Sequence, residues 1–358
     1  MLRVFIVVGE PSGDLLGAQL MRTLQARLGD AVSFGGVGGD AMAAAGFSSI
    51  FPLGDTALMG FAGVATGLRR IMRRIREAAD AVIAAQPDVL VIIDSPDFTH
   101  RVARRVRAAA PNISIVNYVS PSVWAWRPGR ARKMRGYIDH VLALLPFEPD
   151  AHARLGGPPC TFVGHPLAER VQELRPDPDE ARRRGAHPPV LLVLPGSRHG
   201  EVRRLLDPFG EAVRRVRGRL GEVEVVLPTL PHLVDEVRAA TQPWDVRPTI
   251  VVGEDDKHAA FRIARAALAA SGTVTLELAL AGVPTVAAYR VASIEAVILR
   301  RLIRVPSVIL ANLVLDENVV PEYLQEACTP ENLADALLRL LPDTPERTRQ
   351  VQAFERLD

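Results

Sequence analysis

Cysteine is nearly absent. Cys160 and Cys328 are the only two among 358 residues, far apart and without a neighbouring ligand cluster, which excludes a disulfide scaffold and the usual zinc spacings and fits a reducing cytoplasm. Net charge is small too. Lysine plus arginine total 43 against 41 aspartates and glutamates, leaving +2, so there is no global nucleic-acid footprint and the question becomes where the positive charge lies. No stretch reaches the roughly 18 uninterrupted apolar residues of a spanning helix, which restricts any membrane role to the surface. Internal repeats and low-complexity segments are also lacking. The opening run Met1 to Val8 ends in Gly9-Glu10-Pro11-Ser12-Gly13-Asp14 rather than in a small-residue cleavage site, and reads as a first buried strand instead of a signal peptide.

What is present is apolar residue in quantity and arginine in place of lysine. With 48% of residues apolar and a length beyond the growth of one core, two domains are expected, each with its own interior. Short apolar runs alternate with helix-length amphipathic segments, the pattern of parallel strands joined by crossover helices. The first series of strands is Arg3 to Val8, Val32 to Gly36, Val89 to Ile93, Ile113 to Tyr118 and His140 to Leu145. A second follows the proline- and charge-rich stretch Arg175 to Pro189: Val190 to Leu194, Glu224 to Leu227, Thr249 to Val252, Ala266 to Ala270 and Thr285 to Ala288. The class is therefore α/β, as two doubly wound parallel-sheet domains with a linker near residues 170 to 187 and a cleft between them.

Ligands collect at the carboxyl ends of parallel strands, and four such loops stand out. The glycine-rich turn Gly9 to Gly17 allows close backbone approach to an anion at a helix start, or is a tight turn capped by Ser12 or Asp14. Its spacing is not the dinucleotide fingerprint. In Ile93-Asp94-Ser95-Pro96 a carboxylate at a strand end could take a proton from an attacking hydroxyl, or Asp94 or Ser95 could cap a helix opened by Pro96. Leu194-Pro195-Gly196-Ser197-Arg198 offers backbone N–H groups and a guanidinium to a diphosphate, or is an ordinary turn with a solvated arginine. Ser271-Gly272-Thr273 leads into a helix carrying Glu277, placed to hold a ribose diol or merely to face solvent. Because the last two loops share the second half, that half is the nucleotide-binding candidate.

Two segments bear on location. In Leu68 to Ala78 the residues Leu68, Ile71, Met72 and Ile75 share one helical face, with Arg69, Arg70, Arg73, Arg74 and Arg76 on the other, and Ile294 to Ile303 repeats the mixture around Arg300 and Arg301. Each suits an anionic membrane surface or a core-facing helix, and the pair together favours the membrane. Two of the three tryptophans, Trp124 and Trp126, lie beside arginines in Tyr118 to Arg130, a mixture suited to sugars, phosphates or lipid headgroups, or to packing at a strand end.

In these loops the chain resembles the lipid-A-disaccharide synthase family over nearly its whole length. The motifs, in family order, are Gly-Glu-x-Ser-Gly-Asp at 9 to 14, Asp-x-Pro-Asp-Phe at 94 to 98, Tyr-Val-Ser-Pro-Ser-Val-Trp-Ala-Trp at 118 to 126 and Leu-Pro-Phe-Glu at 145 to 148. Gly164-His165, Leu-Pro-Gly-Ser-Arg at 194 to 198, and Ser-Gly-Thr with its glutamate at 271 to 277 follow. The tryptophan-bearing string is the most specific of them. The resemblance implies a GT-B architecture of two Rossmann-like domains, residues 1–170 for the acceptor and the membrane and 171–358 for the nucleotide sugar, with the last helices returning toward the first domain. It implies an inverting transferase that uses neither metal nor cofactor, moving 2,3-diacylglucosamine from UDP to 2,3-diacylglucosamine 1-phosphate through a β(1→6) bond. The setting it implies is the inner face of the cytoplasmic membrane, and it allows an oligomer. By motif matching, Asp94 is the general base and Arg198 steadies the leaving diphosphate. Gly196, Ser197, Ser271, Gly272, Thr273, Glu277 and Asn312 attend the nucleotide sugar. Glu10, Ser12, Gly13, Asp14, Ser120, Trp124 and Trp126 lie on the acceptor or lipid side. With no aspartate-rich metal motif, Arg198 and helix amino termini must supply the positive charge.

Two departures stand out. Pro11 replaces an expected small residue and stiffens the first loop, and the sequence stops at Asp358, early for the family, which would weaken a carboxyl-terminal return or subunit pairing. The rival readings are another UDP-sugar enzyme of the same architecture, such as an N-acetylglucosamine epimerase or the peptidoglycan glucosaminyltransferase, and a catalytically silent membrane-surface protein. The Tyr118 to Trp126 string argues against the first, and intact Asp94 and Arg198 against the second.

Overall fold

A computed structural model describes residues 1–56, 64–291 and 305–357, in two compact units, Met1–Pro166 and Leu167–Asp358. Among the described residues each unit is built on a six-stranded parallel sheet. In the first, β1 (Leu2–Val8), β2 (Val32–Val37), β3 (Val89–Ile93), β4 (Ser114–Tyr118), β5 (His140–Ala143) and β6 (Cys160–Phe162) lie in the order β2-β1-β3-β4-β5-β6. The runs of Val, Ile and Leu in β1 and β3 are buried on both faces, as a sheet covered by helices on either side requires. Val8 lies beside Ile93 in the β1–β3 register, so the loops leaving these two strands start side by side at the switch point of the sheet.

The second sheet holds β7 (Val190–Leu194), β8 (Glu224–Thr229), β9 (Thr249–Val252), β10 (Ala266–Ala270), β11 (Thr285–Tyr289) and β12 (Glu322–Leu324) in the order β12-β11-β10-β7-β8-β9. This is the doubly wound nucleotide-binding order, and its direction reverses between β7 and β10. All five residues of β7 and of β10 are buried. Phe209 and Val213 of the helix His199–Leu220 and Leu337 of the helix Pro330–Leu340 close one face, while Phe261, Leu278 and Val283 close the other.

The stretch expected as a linker near 170 to 187 folds instead into the helices Val171–Leu174 and Pro178–Gly185. Arg184 explains the difference: its guanidinium donates to the carbonyls of Phe261, Ala281, Arg262 and Gly282, pinning the segment to the second unit. The apolar face expected for lipid in Leu68 to Ala78 is also committed elsewhere. Ile71 and Ile75 of the helix Val64–Ala85 are buried in the first core, and Arg74 pairs with Asp55 and Glu77 while stacking 4.6 Å over Phe51. Arg69, Arg70, Arg73 and Arg76 stay exposed. The Leu68 side chain and the segment Ile294 to Ile303 lie outside the described residues. Among the described residues no helix is long and apolar enough to cross a membrane.

Candidate functional site

In the first unit the loops after β1 and β3 are locked together. Gly9 is required there, because a side chain on it would begin 2.4 Å from the Ser95 Cβ. Pro11 occupies the first turn of the helix Pro11–Leu28, a position its fixed φ suits, so it opens the helix rather than distorting the loop. Glu10 is exposed at the cap position and makes no side-chain capping bond. Ser12 donates its hydroxyl to Asp94 Oδ2 at 2.8 Å, and Asp94 Oδ1 accepts the Ser95 N–H at 2.8 Å. Asp94 and Ser95 both lie in the left-handed region, with φ of 54° and 42°, which non-glycine residues adopt only at a cost. Ser95 thus occupies the cap position before Pro96 without making a side-chain capping bond. The Asp94 carboxylate is half-buried, outside the apolar core.

Other first-unit residues have structural work. Asp14 is 5% exposed, and its carboxylate accepts the N–H groups of Gly39, Ala41 and Met42, so it closes the start of the helix Asp40–Ala44 rather than facing a ligand. Gly13 is buried against the end of β3, where a side chain would come 3.1 Å from the Ile93 carbonyl. The tryptophan string is tied to Leu145-Pro-Phe-Glu148. Trp124 Nε1 donates to Glu148 Oε1 at 3.0 Å, the Leu145 N–H reaches Glu148 Oε2, and Ser120 Oγ pairs with His152 Nε2 at 2.9 Å. Burial pushes the Glu148 carboxyl up and the His152 imidazole down, with Trp124 and backbone donors pulling partly against the first. Ser120 and Trp124 therefore fix the loop's shape, while Trp126 remains half-buried with Arg127 stacked 4.1 Å over its ring.

In the second unit the strand ends enclose a cavity of about 600 Å³. Leu194, Gly196, Ser197, Arg198 and Glu201 line it from the β7 side, and Ser271, Gly272, Thr273 and Glu277 from the β10 side, with Thr229, Glu254, Lys257 and Tyr289 completing the wall. All the loop residues expected from Gly196 to Arg198 and from Ser271 to Thr273 therefore share one cavity. Gly196 has φ 112°, and a Cβ on it would strike Glu201 Oε2 at 2.4 Å. The bare glycine lets Glu201 fold back, accept the Ser197 N–H at 3.0 Å and meet Arg198 and the Tyr289 hydroxyl at 3.3 Å. The Arg198 side chain is 78% exposed, leaving most of the guanidinium available to an incoming anion. The Thr229 hydroxyl is buried in the wall without a hydrogen-bond partner, a deficit natural interiors rarely tolerate away from functional sites.

Asn312 does not join this cavity. It is 2% exposed and fully spent: its amide N–H groups reach Ser307 Oγ, the Val320 carbonyl and Glu322, and its oxygen accepts from Val319 and Val320. Such saturation braces the turn before β12 and leaves nothing for a sugar. Conversely, Lys257, Glu254, Glu201 and Tyr289 are cavity residues that the motifs did not single out as ligand groups. Lys257 lies in the first turns of the helix Glu254–Ile263 that follows β9, a strand end outside the four loops that the sequence singled out. Among the described residues no cluster of three or more His, Cys, Asp or Glu forms a metal-ligand set.

Comparison with known proteins bears on this arrangement. The family described as lipid-A-disaccharide synthetase matches residues 4–357. A lipid-A-disaccharide synthase of Nitrobacter hamburgensis is 63% identical over 356 residues, 99% of this chain and 90% of that protein. One of Rhodopseudomonas palustris (strain HaA2) is 60% identical, covering 99% and 91%. Among solved structures, the UDP-GlcNAc 2-epimerase of Neisseria meningitidis bound to UDP-GlcNAc matches with TM-score 0.65 at 11% identity, covering 99% and 94%. MurG of Acinetobacter baumannii matches at 0.58 and 15%, covering 99% and 95%. At such identities these two share the fold, which is that of GT-B enzymes.

Proposed function

The chain belongs to the lipid-A-disaccharide synthase family, and from that premise we propose that it transfers 2,3-diacylglucosamine from UDP to the 6-hydroxyl of 2,3-diacylglucosamine 1-phosphate with inversion. The observation that carries the donor assignment is the convergence of Gly196, Ser197, Arg198, Ser271, Gly272, Thr273 and Glu277 on one cavity at the switch point of the second sheet. In this reading backbone N–H groups and the Arg198 guanidinium receive the diphosphate, and the Glu277 carboxylate receives the ribose hydroxyls. Asp94, half-buried and held by Ser12 and the Ser95 N–H, takes the proton of the acceptor hydroxyl. The freed oxygen attacks the anomeric carbon, the bond to UDP breaks, and Arg198 offsets the charge on the departing diphosphate. A positioned base contributes roughly 10²–10⁴ to the rate, and oriented donors at the leaving group add electrostatic stabilisation that strengthens in the transition state.

Peripheral attachment to the inner face of the cytoplasmic membrane belongs to the same proposal. It is supported by Arg69, Arg70, Arg73 and Arg76, exposed on one helix, each worth about 1 kcal/mol near an anionic surface. The test is incubation with the two acylated sugars and mass analysis. A disaccharide monophosphate with stoichiometric UDP is expected. Epimerisation of a UDP-sugar without transfer would overturn the reading in favour of the rival of the same fold.

A further inference from the structure

Lys257 is one of only two lysines in a chain whose other basic residues are arginines. Its side chain is 17% exposed and its ammonium lies 2.9 Å from Glu277 Oε2, while Glu254 meets it at 2.8 Å with Oε2 and 3.0 Å with Oε1. Burial works against that charge, but Glu277 and Glu254 outweigh it and hold the ammonium above its ordinary pKa. Glu277 Oε2 is buried, and the close ion pair with the Lys257 ammonium is the contact that compensates its charge. A carboxylate with one oxygen sealed against a cation can turn only its other oxygen to a ligand. Lys257 also matters to the charge of the cavity. Among its lining residues Glu201, Glu254 and Glu277 face two cations, Arg198 and Lys257, an unfavourable balance for a diphosphate unless the ammonium neutralises its neighbours.

We propose that Lys257 is a positioning residue for nucleotide recognition, locking Glu277 so that Oε1 alone is presented to the ribose diol and UDP is selected over 2′-deoxy-UDP. This rests on the assignment of Glu277 to the ribose. Two effects of Lys257 then separate. Its charge acts on the diphosphate and so on both nucleotides alike, whereas its grip on Glu277 acts on the 2′-hydroxyl alone. A hydrogen bond to a carboxylate is worth roughly tenfold in affinity or more.

The test is calorimetric titration of the full chain with UDP and with 2′-deoxy-UDP. The unmodified protein is expected to prefer UDP by about tenfold. Lys257→Met is expected to bind both more weakly and to lose the preference to within about twofold. In a Glu277→Gln background, where no preference remains, the same change is expected to alter both affinities equally. If the unmodified protein shows no preference, or Glu277→Gln leaves it intact, the ribose assignment fails and the proposal with it. If Glu277→Gln abolishes the preference but Lys257→Met keeps it, the assignment stands and the positioning role is overturned. Should Lys257→Met not fold, as judged by its melting curve, Lys257→Gln is read by the same ratio with the same two outcomes.

Discussion

Replacing Asp94 by asparagine separates chemistry from folding, and replacing it by alanine does not. Asparagine tolerates the left-handed backbone at φ 54° and keeps an oxygen for the Ser95 N–H, so Asp94→Asn is expected to change stability by no more than about 0.5 kcal/mol. Alanine meets a steric penalty of about 1 kcal/mol in that region. It also gives up the side-chain bonds to Ser12 and Ser95, worth about 1 kcal/mol together at a half-exposed site. A loss of about 2 kcal/mol should therefore lower the melting temperature of the first unit by about 4–8 °C. Activity follows the other coordinate. Both variants lose the proton acceptor, so kcat for UDP release should fall by roughly 10²–10⁴ in each, about 3–5 kcal/mol on the barrier. UDP affinity should stay within about twofold by the calorimetry already described, since the nucleotide cavity is lined entirely by second-unit residues. A kcat for Asp94→Asn within tenfold of the unmodified enzyme, or a parallel loss of UDP binding, refutes the base assignment.

Asn312→Ala, which strips five hydrogen bonds from a buried turn, is expected to cost about 3 kcal/mol in chemical denaturation. Its folded fraction should bind UDP normally, and selective loss of UDP binding at unchanged stability would return this residue to the donor site. His100, buried between Tyr137 and Asn117, is pushed down from 6.5 to about 4, chiefly by burial. The unfolded chain takes up its proton first, so the contribution of His100 is complete above about pH 6.5 and is lost as pH falls through about 4. It amounts to about 3 kcal/mol at most. Unfolding free energies measured between pH 7 and 4.5 should rise with pH more steeply in the unmodified protein than in His100→Gln, and parallel profiles would refute this.

Strands buried on both faces were legible because apolar runs such as Val190 to Leu194 admit few other readings. Two of the four edge strands were not. Cys160–Phe162 and Glu322–Leu324 are three residues each, partly exposed and without an apolar run, and they are strands only because β5 and β11 offer them partners. Strand-end loops led to the second-unit cavity for the same reason that they mark ligand positions in any open parallel sheet. What stayed hidden was long-range polar pairing. Nothing local distinguishes Asp14, spent on a helix start 25 residues away, from Asp94, which keeps a half-open carboxylate. Lys257 likewise gains significance only when Glu277, twenty positions later, folds against it. The fold alone also left open a choice that the sequence closes: an epimerase and MurG share this architecture at 15% identity or less, whereas the synthases match at about 60%.

The left-handed turn at the end of β3 has an evolutionary corollary. A backbone shape that admits aspartate, asparagine or glycine far more readily than other residues leaves few substitutions open at this position, and aspartate and asparagine codons differ by one base. Under the proposed base assignment, one such step would stop transfer while leaving the turn and the second-unit cavity as they are.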